Sequence, residues 1–377
     1  MRFELTETQR DIQKAAREFA GKEFDLDLAL ELEKERKFPN SLFEKASRLG
    51  FIGMNYPEEF GGQSLGLFEQ ILVIEEFTKK DSGIGISLSL ADMGSSVILR
   101  HGDEKQKKKY LAPVAQGKTI SAAAVIGPRD PADRAPVFEK AAAEGDGYLV
   151  RQGKAWVTLG SLAGFLVVLS EGSHPEKPIA LVVEKNREGV GVSGLKKVMG
   201  LRISPISEMT FDQVKVPGDQ VILCQDEKTD PLKTYRQVHR IKTSAQALGI
   251  AQGAFDQAVK HAKEREQFGR KIIQFQGIQF MLADLYTQIE AARGLVYRAA
   301  VDYDAGAREL ERISSVAKLF ATDVAVKTAI DSIQIHGGVG LMREYSIERM
   351  LRDAKTIQNL GETNLIQRAF IGERIAL

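Results

Sequence analysis

The decapeptide NLGETNLIQR at 359–368 holds a lone carboxylate, Glu362, between Gly361 and Thr363. Such a group can abstract a proton if it is ionised and aimed at one C–H bond; otherwise it is a bystander. Other chemistries lack their residues. The five histidines, at 101, 174, 239, 261 and 336, are scattered, and neither H-x₃-H nor H-E-x-x-H occurs, so no metal site is expected. Neither G-x-S-x-G nor G-x-x-x-x-G-K-[ST] occurs, which removes the usual support for a hydrolase or a nucleoside-triphosphatase. At 189–194, GVGVSG fits G-x-G-x-x-G after the strand-like IALVVEK. That fingerprint needs a helix starting at its third glycine to meet a pyrophosphate. LKKVMGLRISPIS follows instead, broken by Gly200 and Pro205, and the segment reads as strand with turns.

The elements that must position Glu362 follow from composition and periodicity. At about 150 residues per domain, 377 residues imply two or three packed units with ample core. Lys plus Arg number 52 against 51 Asp plus Glu, so charge gives no reason to expect a nucleic-acid partner or membrane insertion. The run KQKKKY at 105–110 reads as a solvated helix face. The single cysteine, Cys224, excludes an internal disulfide and a thiolate cluster and suits a reducing compartment. MRFELTETQRD turns polar too early for a signal peptide and no run approaches 18 apolar residues, so a cytoplasmic address is expected.

Residues 1–120 read as a helical domain: Thr6 with Gln9 forms a capping box, and RDIQKAAREFA and FEQILVIEEFTKK have helical spacing, with YPEEFGG as a break. Residues 121–227 change to short β-rich runs, GYLVRQGKAWVT, GFLVVLS, IALVVEK and MTFDQVKVP. From 228 to 377 long helices return. Their stripes run through Ile241, Ala245, Leu248, Phe255, Val259 and Ala262, then Ile278, Leu282, Leu285, Ile289, Ala292 and Leu295, then Ile313, Val316, Phe320, Val324 and Ile330. The expected architecture is mostly α with a central β domain and a C-terminal bundle.

REQFGRKIIQFQ at 265–276 and IQIHGGVGLMREYSIERMLRDAKTIQ at 333–358 resemble the acyl-CoA dehydrogenase family. PEEFGGQSLG, KQKKKYLAPVAQGK, GKAWVT, MGLRIS and FDQVKVP follow in the family's order, so the resemblance spans essentially the whole chain. It implies an N-terminal helical domain, a middle β-barrel or sandwich and a C-terminal four-helix bundle, with FAD held between the last two and reaching a neighbouring subunit. It further implies Val125, Trp156, Thr158 and Thr363 at the flavin, and Arg265 at the pyrophosphate. Phe268, Phe275 and Gln276 would meet the adenine and ribose, and Gln334, Gly337 and Gly338 the diphosphate. Arg240, Gly361 and Ala132 would contact the acyl-CoA.

The family removes an α-proton from the thioester while a hydride leaves the β-carbon. Most members place the base in YEGT, where this chain reads LGET: the base position is Gly361 and the carboxylate stands one residue on, at Glu362. A second family arrangement puts the base just before the arginine matching Arg240, and that residue is His239. The segment matching TEPxAGSD reads IGPRDPAD at 126–133; Ile126 and Ala132 replace hydroxyl residues while Pro128 and Asp133 persist. The expectation is an acyl-CoA dehydrogenase that passes electrons to an electron-transfer flavoprotein, with Glu362 as base and His239 as its alternative. The competing expectation is a non-catalytic subunit in a hetero-oligomer with an active homologue, against a homotetramer.

Overall fold

The computed structural model describes residues 4–126, 141–174, 177–224 and 230–376. Pro128, Ala132 and Asp133, together with the side chain of Ile126, lie outside the described residues. Seven helices come first: α1 (Glu7–Glu23), α2 (Leu26–Glu35), α3 (Asn40–Arg48), α4 (Leu67–Lys80), α5 (Ser82–Leu90), α6 (Ser95–His101) and α7 (Glu104–Ala115). Thr6 and Gln9 form the reciprocal capping box of α1. The α4 N-cap, Gly66, has no side chain to cap with; Asp304 substitutes, accepting from the N–H groups of Leu67 and Phe68 at 2.9 Å each. Residues Ser82–His101 are long and apolar enough to cross a membrane by composition, which the sequence reading overlooked. They fold as α5, a turn and α6, and 94% of the most apolar window is buried inside the protein.

Two four-stranded sheets follow, formed by β1 (Ser121–Ile126), β2 (Ala142–Glu144), β3 (Gly147–Thr158), β4 (Phe165–His174), β5 (Lys177–Glu184), β6 (Val190–Leu195), β7 (Ile206–Val216) and β8 (Val221–Leu223). One has the order β1-β4-β5-β8, with β1 parallel to β4; the other, β2-β3-β7-β6, is antiparallel. The GVGVSG stretch is an edge strand on β7 with no helix after it, so no dinucleotide fingerprint forms there. Along β3 burial alternates: Ala155 and Val157 face the core, while Lys154 and Trp156 face out.

The remaining helices are α8 (Pro231–Glu264), α9 (Gln276–Asp304), α10 (Leu310–His336), α11 (Ile347–Asn359) and α12 (Asn364–Ala376), with the two-residue strands β9 (Glu266–Gln267) and β10 (Arg270–Lys271) between α8 and α9. Gly249 lets α8 cross α4 closely, since a Cβ there would sit 1.9 Å from Thr78 Oγ1 and 2.5 Å from the Glu75 carbonyl oxygen. The third apolar stripe is only part of the buried face of α10. Val324 is buried and Ile313, Val316 and Phe320 are half-buried, but Ile330 is 50% exposed, and the helix also buries Ser314, Ala317, Lys318, Ala321, Ala325, Thr328 and Ser332. A helix enclosed by α8, α9, α11 and α12 packs through small residues that permit close approach. Helix α11 ties the parts together: Asp353 accepts from Ser82 Oγ at 2.6 Å and from the Leu201 N–H at 2.7 Å, and Arg349 pairs with Asp81. The MGLR loop lies so close on α11 that a Cβ at Gly200 would meet the Arg352 carbonyl oxygen at 2.3 Å.

Candidate active site

Helix α8 begins at Asp230, whose carboxylate caps the N–H groups of Leu232 and Lys233. It presents Arg236, His239 and Arg240 toward the turn between α11 and α12. Gly361 in that turn has φ +68°, a conformation that favours glycine. A Cβ built on it would lie 2.4 Å from His239 Cε1 and 2.8 Å from Nδ1. The imidazole therefore fills the space into which any side chain at 361 would project, and a carboxylate there excludes this placement of the histidine. Gly361→Ala is expected to lower stability by about 1–3 kcal/mol through overpacking and the positive φ, read from the urea midpoint.

Glu362 turns its carboxylate toward α8. Its carboxylate is bridged by Arg240, at 2.6 Å from Nε and 2.5 Å from Nη2, and by Arg236 Nε at 3.0 Å, with Gln367 donating at 3.1 Å. Burial alone would raise its pKa, but the charges of Arg240 and Arg236 and the hydrogen bonds of Gln367 and Arg240 hold it below the ordinary value. A carboxylate held by two guanidinium groups is ionised but has its lone pairs engaged. The one-residue shift thus turns the side chain toward α8 as an ion-pair partner. Arg240 is buried by the same contact, leaving Nη1 as a buried donor with no partner among the described residues.

His239 is buried, its ring 5.6 Å from that of Tyr235. Burial, then the charge of Lys318, pushes its pKa down to about 4 against the pull of Glu362. The ring is therefore neutral at physiological pH and has a nitrogen able to accept a proton. Sequence reading missed two neighbours. Lys318 sits behind the turn, and Lys242, one helical turn beyond His239, pairs with Asp92 at 2.7 Å in the interior. Asp92, Lys242, Gln70, Tyr56 and Val238 help line a cavity of about 340 Å³. Both lysines fall within helical patterns whose buried positions were expected to be apolar.

The residues matched to a flavin fit a group lying across the surface. Trp156 is 67% exposed on the outer face of β3, its indole N–H donating to Glu208 at 3.2 Å and Lys196 lying 5.6 Å from its ring. Thr158 stands two residues along the same strand and Val125 is half-buried on β1. Thr363 Oγ1 accepts from the Ile366 N–H at 3.3 Å, so it also starts α12. A second group gathers at the other end of α8. Arg265 caps that helix, and Phe268 and Gly269, at φ +53° and +74°, form the turn joining β9 to β10. Phe268 is 92% exposed despite the strain of its positive φ, its ring meeting that of Phe275 edge-on at 6.2 Å. Phe275, stacked by Arg270 at 4.1 Å, and the exposed Gln276 follow, and the exposed Gln334, Gly337 and Gly338 end α10. Cβ atoms at both glycines would meet nothing within 4 Å. Arg265 lies 26 residues along from His239, about 39 Å in a helix, farther than one dinucleotide stretches.

Family models for the acyl-CoA dehydrogenase N-terminal, middle and C-terminal domains match residues 6–118, 133–214 and 233–376. The chain belongs to the acyl-CoA dehydrogenase family. An acyl-CoA dehydrogenase of Bacillus subtilis is 37% identical over 375 residues, covering 98% of each chain. Butyryl-CoA dehydrogenase of Megasphaera elsdenii superposes with a TM-score of 0.91 at 31% identity, covering 100% of both chains. A chain in the structure described as the electron transferring flavoprotein of Acidaminococcus fermentans superposes with a TM-score of 0.91 at 36% identity, covering 100% of this chain and 99% of that one. The family's fold and its cofactor, FAD, are those of this protein, and at the level of the family it is an oxidoreductase.

Proposed function

We propose that the protein dehydrogenates an acyl-CoA thioester between its α and β carbons, with His239 as the group that takes the α-proton. The observation carrying this reading is the imidazole filling the space beside Gly361 while Glu362 is tied to Arg236 and Arg240. FAD, when bound, supplies the hydride acceptor for the β-carbon. His239 receives the proton in its neutral form, the Gly361 N–H is available to polarise the thioester carbonyl, and Arg240 Nη1 is a spare donor for the substrate. The electron acceptor in this reading is an electron-transfer flavoprotein.

The two separated groups of flavin-matched residues support a dinucleotide shared between copies of the chain, with Trp156, Thr158 and Thr363 serving one end and Phe268, Gln334 and Gly338 of another copy the other. A homotetramer is the assembly this reading favours. Phe268→Asn creates an Asn-Gly turn and is expected to stabilise the flavin-free protein by about 1 kcal/mol. The same change should reduce the FAD retained through gel filtration, an opposition that a purely local role for Phe268 does not produce.

The test is the visible spectrum of the purified protein under anaerobic conditions. Short, branched and cyclic acyl-CoAs are expected to bleach the flavin with formation of the enoyl-CoA. Stoichiometric FAD that none of them bleaches overturns the reading. Absent flavin with a co-purifying homologue favours a non-catalytic partner subunit instead.

A further inference from the structure

We infer that Lys318 is a positioning residue for the turn that carries Gly361, holding that turn at a fixed spacing from His239. Its ammonium, on α10, donates to the main-chain oxygens of Gln358 at 2.8 Å and Glu362 at 2.9 Å and to Asn364 Oδ1 at 2.7 Å. These three acceptors mark the end of α11, the turn and the start of α12. Three hydrogen bonds use all the donors an ammonium has. The Gln358 oxygen is among the last carbonyls of α11, which have no partner within their own helix and favour a nearby cation. Asn364 is fixed in turn, accepting from Thr322 Oγ1 at 3.1 Å and donating to Asp323 Oδ1 at 2.8 Å.

Placing a full charge at 1% exposure on neutral oxygens is an expensive way to fill volume that a methionine would fill as well. What the charge adds is geometry. The turn must approach α8 closely enough to meet the His239 ring but has no room to move nearer, given the 2.4 Å that a single added carbon would leave. One side chain that grips both flanks of the turn sets that spacing, whereas an apolar residue would leave the 360–363 backbone free to drift.

The groups facing Lys318 are Glu362 from the turn, Asp323 on its own helix, and His239 and Arg240 from α8; α11 and α12 contribute the neutral Gln358 and Asn364. Burial lowers the ammonium to about 7, with Glu362 and Asp323 opposing and Arg240 adding to the shift. The grip is therefore complete below that value and weakens as pH rises through it, when a donor is lost.

This inference rests on the dehydrogenase reading for its consequence but not for its structural test. Amide hydrogen exchange of Leu360, Ile366 and Gln367, whose N–H groups are bonded at the two flanks of the turn, is expected to speed up in the FAD-bound protein, after correction for intrinsic rates, as pH rises from 6 to 9. In Lys318→Met it should be at least ~10-fold faster throughout, with no pH step, while the buried 241–251 segment of α8 keeps its protection. Lys318→Arg, which retains charge and donors, should recover part of the loss. Single-turnover flavin reduction in Lys318→Met should slow at least ~10-fold with the acyl-CoA Kd changed less than about threefold. If Lys318→Met does not fold, the wild-type exchange profile decides. Turn protection that is flat with pH in the wild type, or unchanged in folded Lys318→Met, overturns the inference. A wild type that shows the pH step but no flavin bleaching leaves the positioning role standing and removes the dehydrogenase reading.

Discussion

His239→Asn is expected to slow acyl-CoA reduction of the bound flavin by at least about 100-fold, the lower end of what a positioned general base contributes. Asparagine keeps the approximate size and polarity of the ring but cannot accept the proton. FAD content and acyl-CoA affinity should change little, because Trp156, Thr158 and the residues around Phe268 are untouched. Stopped-flow bleaching of the flavin's visible absorption is the measurement. A second consequence concerns stability. The folded-state pKa of His239 lies at about 4, below the unfolded value of about 6.5. The unfolded chain therefore binds the extra proton first, and stability is full above about 6.5 and falls as pH drops toward 4. His239→Asn should make the fall in urea midpoints from pH 7 to pH 4 shallower, with His101, which burial also pushes down to about 4, keeping its own share.

Glu362→Ala is expected to cost about 2–3 kcal/mol of stability. Removing one partner of a buried ion pair leaves the other charge uncompensated, at about 3–5 kcal/mol when burial is complete. The Glu362 side chain keeps 21% exposure and Arg236 is partly solvated, so solvent recovers part of that. The sign of the pH dependence follows from the lowered pKa: the contribution is complete above the unfolded value near about 4.3 and disappears as pH falls through the folded one. The loss should therefore be largest at neutral pH and shrink in acid. Urea denaturation at pH 7 and pH 4 measures both.

The sequence carried the architecture because its signals were local and strong. Thr6 and Gln9 announce α1, GYLVRQGKAWVT is β3 residue for residue, and the lack of a helix after GVGVSG correctly removed a fingerprint that the regular expression alone would accept. The α10 stripe captured only part of the buried face because a helix packed on several sides selects small residues rather than one apolar face. At the site, the positions were legible but their directions were not. LGET shows that the carboxylate has moved by one residue; only the fold shows that the move turns it onto Arg236 and Arg240 and that His239 takes the vacated space. Lys318 gave no signal, since its three acceptors are two main-chain oxygens and an amide distant in sequence.

Glu362→Gln separates the two neighbouring groups that could take the proton. At a temperature where the variant is folded, its single-turnover flavin reduction by acyl-CoA is expected to stay within about tenfold of the wild type, since the imidazole remains beside Gly361. A loss as large as that of His239→Asn, with FAD still bound, would contradict the assignment to His239 and return the role to Glu362.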